Sequence, residues 1–440
     1  MRAWLYAARG EPSPGFHVKS PRANSRNNAK SVISPRVKVT EDARWHRMYL
    51  DKFEERMLEG ELGEAVALAM RIVVKIAEIF SAERLVKIKH AHVSGVSYEN
   101  IGDEGLEFLE GLAAKGGRFS VPTTVNPGAV DLELWRKMGV DESYVEKQLR
   151  IVGAFRRMGA KVTLTCTPYL YEDISPGDHL AWSESNAVLF ANSVIGARTN
   201  RDGGPLALME AIAGRAPLSG LHLDENRRPS LVVDFSESSR YIAENGLFSV
   251  AGLIVGRLAG NRVPLVRGLG LQRKDVEELK LFLAAVGATG GTGMVLIDGV
   301  SPEAPGDMPG EVEKIGVDDV KAELEKYGGS GWDAVVLGCP HLSYEEVASI
   351  IEWFERKGRP RSRVYLYTSR EVASRLRSDR LEKLNIHLFA DTCMVVSNLG
   401  AYASRSVATD SGKAAFYLAS KGYSVALLPR RKLLEMLVQG

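Results

Sequence analysis

The chain has 440 residues, which is long enough for two or three domains with well-buried cores. Hydrophobic residues make up 45% and charged residues 25%, as in an ordinary globular protein, and no apolar stretch is long enough to span a bilayer. Residues 1–47 hold ten Lys and Arg against three acidic residues, so the rest is mildly acidic although the whole chain carries +2. We therefore expect neither a membrane protein nor a nucleic-acid-binding protein.

Residues 1–47 differ from the rest of the chain because they are basic, rich in turn-forming residues and without apolar periodicity. Three interpretations are open: a disordered basic extension, a targeting segment, or translated sequence upstream of a true start at Met48. Organised sequence begins near Met48, where MYLDKFEERMLEG leads into an amphipathic run. We therefore favour a mis-assigned start or a dispensable extension.

Strand-like and helix-like segments alternate from Glu83 onward, which predicts an α/β fold with crossover connections and mostly parallel sheets. In chain order we predict strand 85–88, helix 104–114, strand 118–121, helix 142–158, strand 162–164, helices 185–195 and 206–213, strand 231–235, helix 247–258, strand 264–266, helix 273–286, strand 294–297, helix 317–327, strand 334–337, helix 344–356, strand 364–367, helix 371–375, strand 386–389, helix 411–421, strand 424–428 and helix 432–438.

The alternation is most regular in residues 268–395, which we expect to form a second doubly wound α/β domain. The last helix, strand and helix are expected to return to the first domain. On this basis the main α/β catalytic region comprises residues 48–267 together with 396–440.

The only three cysteines follow apolar runs that are typical of buried strands, namely KVTLT before Cys166, WDAVVLG before Cys339 and NIHLFADT before Cys393. Because the carboxyl ends of strands in open α/β sheets border the ligand crevice, the three thiols could converge on one site. Three thiolates can hold an iron–sulfur cluster and leave one iron open. No spacing is a short CxxC, so three ordinary buried cysteines are the alternative.

The residues beside the cysteines favour a position at the rim of the sheet rather than in its interior. Pro168 follows Cys166 closely, while Gly338 and Pro340 flank Cys339, and such residues turn the chain out of a strand. The odd number of cysteines and the absence of a cleavable signal argue against a disulfide framework. We expect a reducing, cytoplasmic compartment.

Two glycine-containing segments resemble phosphate-binding loops to different degrees. Residues 287–293 follow a predicted helix and precede a strand, the reverse of a phosphate loop, so we expect only a helix end and a turn there. Ser411 and Lys413 open a predicted helix, where backbone amides and a lysine can bind an anion. A simple N-cap with a solvated lysine is the alternative at this position.

Polar loops follow several of the predicted strands. The two histidines of the segment 90–97 lack a third ligand nearby, so a zinc site is not expected. In the segment 123–128, Asn126 could donate to a carboxylate or hydroxyl, or could simply form an Asn-Pro turn. Glu184 could be a general base or hydroxyl acceptor and Ser185 a donor to an acid, although a helix cap explains this loop as well.

The segment 196–204 contains Arg198 and Arg201, whose guanidinium groups could bind a carboxylate or phosphate. Surface ion pairs are an equally good explanation for these two arginines. No residue of the segment can be assigned a role from its pattern alone.

Taken together, these segments resemble the aconitase X family, and in particular its archaeal two-subunit form, over approximately residues 48–440. The motifs that carry the resemblance are AHVSGVS, TTVNPG, TCTPY, WSESNAVLFANSVIGARTNRDGGP, GCPH and ATDSGKAAFYL. The resemblance implies an aconitase-like core of mostly parallel, doubly wound sheets with helices on both faces. It also implies a 4Fe-4S cluster held by Cys166, Cys339 and Cys393, with the fourth iron free.

The same resemblance implies a reaction, a hydro-lyase step that removes water from (R)-5-phosphomevalonate to give trans-anhydromevalonate 5-phosphate in a modified mevalonate route to isoprenoids. The residues implied to line this phosphorylated hydroxy acid are Gly95, Val96, Ser97, Asn126, Pro127, Glu184, Ser185 and Lys413. Glu184 and Lys413 are the candidate catalytic groups of this chain.

Fused members of the family carry an additional swivelling domain, for which this chain offers no separate segment. The resemblance therefore implies a small partner subunit that closes the site and supplies the base. Dehydration of cis-3-hydroxy-L-proline, the other activity of the family, is the closest alternative. A non-catalytic iron–sulfur sensor or scaffold and a metal-free sugar-acid-binding protein are the alternatives outside that chemistry.

Overall fold

A computed structural model describes residues 48–303, 308–329, 331–376 and 378–438 of the chain. The expectations for residues 1–47 lie outside the described residues. No helix within the described part is both long and apolar enough to cross a membrane.

The first region contains a two-stranded antiparallel sheet and a three-stranded parallel sheet. Its strands are β1 (Leu85–Lys87), β2 (His90–Val93), β3 (Thr123–Val125), β4 (Leu180–Trp182) and β5 (Arg215–Pro217). β1 pairs with β5, while the three-stranded sheet has the order β3-β2-β4. Because β3 and β4 flank β2, the loops that follow all three strands leave the same edge of the sheet.

The second and third regions each contain one parallel sheet. Strands β6 (Leu231–Asp234), β7 (Pro264–Arg267), β8 (Leu296–Ile297) and β9 (Val312–Lys314) have the order β8-β7-β6-β9. Strands β10 (Ala334–Leu342), β11 (Arg363–Thr368), β12 (Ile386–Ala390), β13 (Ser406–Thr409) and β14 (Ser424–Leu427) have the order β12-β11-β10-β13-β14. The expected fold class, mostly parallel α/β sheets flanked by helices, is confirmed.

The helices connect and cover these sheets. They are Lys52–Glu59, Glu64–Ile79, Tyr98–Ala114, Glu142–Arg157, Ser185–Phe190 continued by a π-helical turn at Ala191–Ile195, Gly204–Ala213, Ser239–Asn245, Phe248–Ala259, Val276–Thr289, Val317–Glu325, Tyr344–Lys357, Arg370–Ser374, Ser378–Leu384, Leu399–Tyr402, Gly412–Ser420 and Arg430–Val438. Short 3-10 turns occur at Trp135–Met138, Pro168–Leu170, Gly220–His222 and Asp224–Arg227. Most of the predicted helices are present with ends shifted by a few residues.

Two of the predicted strands, 118–121 and 162–164, are not present at those residues. The expected strand at 118–121 instead forms two residues later as β3, paired with β2. Residues 162–165 form no strand, because their segment makes only an isolated bridge, between Thr124 and Lys161. Leu164 also has a φ of 44°, a left-handed conformation that a regular strand does not contain.

The pairing of the strands differs from the expected grouping of the chain. The expected boundary between residues 267 and 268 falls inside the sheet formed by β6 to β9. The tail strand β13 pairs with β10 and β14 pairs with β13, so the tail joins the sheet of residues 334–390 rather than returning to the first region. The pairing partner of a strand depends on contacts distant in sequence, and local alternation does not reveal them.

Helix Val276–Thr289 is a central helix of the fold. It packs against helix Phe248–Ala259 and also touches the helices Ser185–Phe190 and Gly412–Ser420. Backbones approach closely at Gly252, where an added Cβ would lie 2.2 Å from the carbonyl oxygen of Phe282. One apolar core contains side chains from the sheets of all three regions, so these helices connect parts that are far apart in sequence.

Candidate active site

The three cysteines converge on one cavity of about 340 Å³. Each thiol is buried, and none of the three forms a disulfide. The remaining lining residues are Asn126, Pro127, Ser183, Glu184, Ser185, Asn186, Arg201, Asp202, Gly203, Pro340, Val395, Val396, Lys413 and Tyr417. The cavity therefore collects residues from all the cysteine segments and from most of the other motifs identified in the sequence.

Cys166 follows the irregular segment 162–165, which is fastened beside β3. The amide of Thr165 donates to the carbonyl of Val125 at 3.2 Å. The carbonyl of Cys166 accepts from Nδ2 of Asn186 at 3.0 Å, and its Sγ accepts from the amide of His341 at 3.3 Å. Hydrogen bonds rather than a strand thus position this cysteine.

Cys339 and Cys393 belong to the five-stranded sheet, in which β11 separates β10 from β12. Cys339 lies inside β10, close to its carboxyl end, and Cys393 lies three residues beyond β12. Gly338 precedes Cys339 with a φ of 111°, and an added Cβ there would lie 2.3 Å from the carbonyl oxygen of Tyr367. Only glycine can therefore occupy the position at which β10 turns its cysteine toward the cavity.

Burial is the main influence on the three thiols. It raises the pKa of Cys339 to about 12, although the charge of Lys413 and a hydrogen bond with Ser411 act in the opposite direction. Burial, the carboxylate of Glu184 and the other two thiols raise the pKa of Cys166 well above its usual value. The mutual influence of the thiols shows that they are close enough to interact. Without metal they are protonated, so a bound metal must displace the protons.

The three thiols are a donor set compatible with an iron–sulfur cluster. In the part of the chain that the structure describes, no three His, Cys, Asp or Glu side chains are grouped to ligate one ion. In a cluster each thiolate binds a different iron, so the ligands stand farther apart. Cys393 also accepts hydrogen bonds from the amides of Val395 and Val396, and such contacts stabilise a cluster-bound thiolate.

A buried ion pair lies in the same cavity. Glu184 precedes helix Ser185–Phe190 as its N-cap, and its carboxylate pairs with Nζ of Lys413. Nζ of Lys413 also donates to Oγ of Ser185 at 3.2 Å. Oε2 of Glu184 accepts from Nδ2 of Asn126 at 2.9 Å. Four of the residues expected in the site thus form one connected group.

The ion pair keeps both of its members charged in spite of their burial. Burial alone would raise the pKa of Glu184, but the charge of Lys413 and the hydrogen bonds from Lys413 and Asn126 together lower it. Burial alone would lower the pKa of Lys413, and the carboxylate of Glu184 raises it instead. The cavity therefore contains a fixed ammonium group beside a fixed carboxylate.

A histidine behind the ion pair orients Asn126. Nε2 of His92 lies 3.3 Å from Oδ1 of Asn126, and Nδ1 of the same ring lies 2.8 Å from Oγ1 of Thr124. Burial, followed by the neighbouring His90, lowers the pKa of His92 to about 4, so the ring is neutral. Both ring nitrogens of His92 are thus engaged by Thr124 and Asn126.

The other three expected substrate residues lie beside the cavity and are not among its lining residues. Gly95 has a φ of 79°, and the carbonyl of Val96 accepts from Nε2 of Gln148 at 3.0 Å. Oγ of Ser97 donates to the carbonyl of Val396 at 3.0 Å. The loop therefore touches the cavity through the backbone of Val396, a lining residue.

Two of the lining residues, Asp202 and Asn186, were given no role from the sequence. The run GARTNRDGG singled out two arginines, and the structure separates them. Arg201 lines the cavity and donates to the carbonyls of Gly287 and Gly290 at the end of helix Val276–Thr289. Arg198 instead pairs with Asp224 outside the cavity. The glycine-rich segment thus provides carbonyl acceptors for an arginine.

The start of helix Gly412–Ser420 is less open to an anion than its sequence suggests. The amide of Gly412 donates to Oγ of Ser249 at 2.6 Å, and that of Ala414 donates to Oγ of Ser411 at 3.1 Å. Two amides of the first turn are therefore already satisfied. The side chain of Lys413 remains the cation that this helix directs into the cavity.

The fold and the cavity define a member of the aconitase X family, to which this chain belongs. Models of the first, second and third domains of aconitase X match residues 47–225, 229–326 and 332–439. The last two ranges contain the four-stranded and five-stranded sheets. The family resemblance of the motifs is thereby confirmed.

Individual relatives agree with this assignment. The chain is 41% identical to the phosphomevalonate dehydratase large subunits of Thermococcus kodakarensis and of Methanothermobacter thermautotrophicus. These matches cover 86% and 84% of this chain and 97% and 94% of those proteins. The cis-3-hydroxy-L-proline dehydratase of Pseudomonas aeruginosa is 36% identical over 84% of this chain and 66% of that protein.

A solved structure has the same fold. The crystal structure of Thermococcus kodakaraensis aconitase X in its holo form superposes with a TM-score of 0.81 at 40% sequence identity. The match covers 89% of this chain and 100% of the crystallised chain.

Proposed function

We propose that this chain is the large subunit of a hydro-lyase that converts (R)-5-phosphomevalonate to trans-anhydromevalonate 5-phosphate and water. The observation that carries the proposal is the shared cavity, in which three thiols face the Glu184–Lys413 pair. Archaeal phosphomevalonate dehydratase large subunits, matched over nearly their whole length, support this substrate.

We further propose that Cys166, Cys339 and Cys393 hold a 4Fe-4S cluster with one iron open. Such a cluster supplies a Lewis acid for the departing hydroxide, which is otherwise a poor leaving group. The chain's own contribution is to keep three buried thiols in one cavity. Amide and hydroxyl groups already point at each sulfur, from His341, from Ser411, and from Val395 and Val396.

The substrate has a tertiary hydroxyl group beta to a carboxylate, so a proton leaves the adjacent carbon as hydroxide departs. Lys413 and Ser185 are suited to bind an anionic end of such a molecule, because their polar atoms are adjacent at 3.2 Å. Glu184 can accept from the substrate hydroxyl while Asn126 holds its other oxygen. Pro127 borders the same cavity, and the loop of Gly95, Val96 and Ser97 completes the proposed substrate site through its contact with Val396.

A small swivelling-domain subunit is proposed to close the cavity. The archaeal relatives are named large subunits, which supports a heteromer. Glu184 is held by Lys413 and Asn126 and is therefore poorly placed to remove a carbon-bound proton. We propose that the partner subunit supplies the base, by analogy with aconitase a serine alkoxide.

A second candidate substrate is cis-3-hydroxy-L-proline, because two relatives are named as its dehydratases. Their identities of 36% and 31% are lower than those of the archaeal large subunits. The two matches also account for only 66% and 63% of those proteins. We therefore propose phosphomevalonate rather than hydroxyproline as the substrate.

The experiment that tests the function compares both substrates on one preparation. The chain is reconstituted anaerobically with iron and sulfide, combined with its small subunit, and incubated separately with each compound while proton NMR follows the loss of the substrate and the appearance of its dehydrated product. Turnover of phosphomevalonate alone is expected. Turnover of hydroxyproline alone would transfer the assignment to the second candidate, and a cluster-loaded complex inert to both would indicate a sensor or scaffold.

The cluster assignment predicts the behaviour of Cys166→Ser, Cys339→Ser and Cys393→Ser. Each variant is expected to lose the visible absorbance and the activity of the reconstituted protein, because a serine hydroxyl replaces one of three thiolate ligands. Iron and acid-labile sulfide per chain are the measurements. If one variant retained both the metal and full activity, that cysteine would not be a ligand.

A further inference from the structure

His341 is fully buried, and all four of its polar groups are engaged. Its amide donates to Sγ of Cys166 at 3.3 Å, and its carbonyl accepts from Nζ of Lys280 at 2.9 Å. Its Nδ1 lies 3.1 Å from Oγ1 of Thr165, and its Nε2 lies 2.9 Å from the carbonyl oxygen of Thr392. The ring thus contacts the segments on both sides of it.

The tautomer of the ring follows from its partners. A carbonyl oxygen only accepts, so Nε2 carries the proton that is donated to Thr392. In the neutral ring Nδ1 is then an acceptor, and the Thr165 hydroxyl donates to it. Oγ1 of Thr165 also accepts from the amide of Thr167 at 3.4 Å, which is compatible with this direction.

These contacts connect all three cysteine segments. Thr165 immediately precedes Cys166, Thr392 immediately precedes Cys393, and His341 itself lies two residues after Cys339. We infer that His341 is the positioning residue that holds the three cysteines in their ligating arrangement. The inference rests on the proposed function, because it concerns the cluster that these cysteines are proposed to hold.

A buried charge network supports His341 from the other side. Lys280, on the central helix Val276–Thr289, is 2% exposed and pairs with Glu346 as well as with the His341 carbonyl. Glu346 also accepts from Arg430 and from the amide of Ser343. Buried charges persist only when they are paired and hydrogen-bonded, so this network has one well-defined arrangement. It thereby fixes the backbone at His341.

The test uses His341→Phe, which keeps a ring of similar size but removes both nitrogen contacts. His387→Phe is the matched control, because His387 is a half-buried histidine of β12 that stacks on Tyr365. Both variants and the parent protein are reconstituted anaerobically, and iron release to a chelator is followed at 420 nm. Loss of a hydrogen bond that orients a metal ligand typically weakens metal binding about ten- to a hundredfold. We expect His341→Phe to release iron faster by about that factor and His387→Phe to match the parent.

A second readout needs no cluster. In the metal-free proteins, alkylation of each cysteine is timed by mass spectrometry, and circular dichroism monitors folding. His341→Phe is expected to accelerate labelling of Cys166 and Cys393, since their segments lose contacts, while His387→Phe leaves the labelling unchanged. Should His341→Phe fail to fold, Thr165→Val, which removes only the hydroxyl donated to Nδ1, is expected to change both readouts in the same direction.

The outcomes separate this inference from the proposed function. A parent protein that takes up no cluster would refute the proposed function, and the alkylation rates would still test His341. A folded His341→Phe, or Thr165→Val in its place, that keeps the parent's iron release and labelling would refute the positioning role.

Discussion

The ion pair between Glu184 and Lys413 is the part of the cavity that we propose to select the substrate. Both side chains are largely buried, and each holds the other in its charged form. Removing one partner of a buried pair leaves an uncompensated charge, which is strongly destabilising. An anionic substrate can compensate Lys413 as Glu184 does, so ligand binding and the ion pair are linked through one ammonium group.

Lys413→Met tests this link in the cluster-loaded complex. The variant keeps the length of the side chain but lacks the charge, so kcat/KM for phosphomevalonate is expected to fall by about a hundredfold or more. Steady-state kinetics give the value, and iron content shows whether the cluster is retained. Lys432→Met, at an exposed lysine of the last helix Arg430–Val438, is the control. A Lys413→Met variant with parental kcat/KM would remove Lys413 from the substrate site.

Glu210 is the buried carboxyl group least supported by its surroundings. It is fully buried on helix Gly204–Ala213, and neither of its carboxyl oxygens has a hydrogen-bond partner. Burial, and then the nearby Asp202, raise its pKa well above the usual value of 4.5. Burial likewise raises the pKa of Asp202, a cavity residue, to about 7. The folded protein therefore favours the protonated form of Glu210 more strongly than the unfolded chain does.

Glu210→Gln is expected to alter the pH dependence of stability. Because the folded state binds the proton more tightly than the unfolded state, the parent loses up to about 1.4 kcal/mol of unfolding free energy per pH unit between 4.5 and the raised pKa of the folded state. The variant lacks this loss, so its stability relative to the parent should increase between pH 5 and pH 7. Urea unfolding of the metal-free proteins measures the difference. Glu55→Gln, at an exposed glutamate, is the control, and a pH-independent difference for Glu210→Gln would contradict the expectation.

At the scale of elements, the central helix Val276–Thr289 packs against the helices that position Glu184 and Lys413. It contacts the helix that begins at Ser185, directly after Glu184, and the helix that begins at Gly412 and contains Lys413. Its approach to helix Phe248–Ala259 depends on glycine, since a Cβ at Gly252 would overlap the Phe282 carbonyl. Small residues at this contact are therefore required for the geometry of the cavity.

Gly252→Ala and Gly111→Ala are expected to have opposite effects. Gly252→Ala forces backbones apart in a packed core and should lower the unfolding free energy by about 1–3 kcal/mol. Gly111 lies in helix Tyr98–Ala114 with nothing within 4 Å of an added Cβ, so its alanine variant should gain about 0.5–1 kcal/mol. Urea unfolding measures both values. Equal effects of the two substitutions would argue against the close helix contact.

Local sequence predicted the elements better than it predicted their ends or partners. Helix Tyr344–Lys357 begins where Ser343 and Glu346 form a capping box, a signal that is readable from residue types alone. The segment 162–164 has the β-branched alternation of a strand, but it has no continuous pairing partner and turns at Leu164. Pairing is a tertiary property, and therefore the pattern alone overestimated this strand.

At the scale of the whole molecule, the same limit separates the predictable part of the site from the rest. The places of the cysteines after apolar runs indicated that they could converge, and the structure places all three in one cavity although no strand precedes Cys166. The grouping of the tail with β10 and the link from His92 through Asn126 to Glu184 depend on distant pairings. Neither is encoded in a short motif.

Turnover by the complex of this chain with its small subunit tests the proposed dehydratase function most directly. The chain is loaded anaerobically with iron and sulfide, and phosphomevalonate is followed by NMR with and without the small subunit, beside metal-free protein. We expect trans-anhydromevalonate 5-phosphate to form only when both the cluster and the partner subunit are present. A cluster-loaded complex that leaves phosphomevalonate unchanged would contradict the proposed function. Metal-free protein that converts it would contradict the proposed role of the cluster.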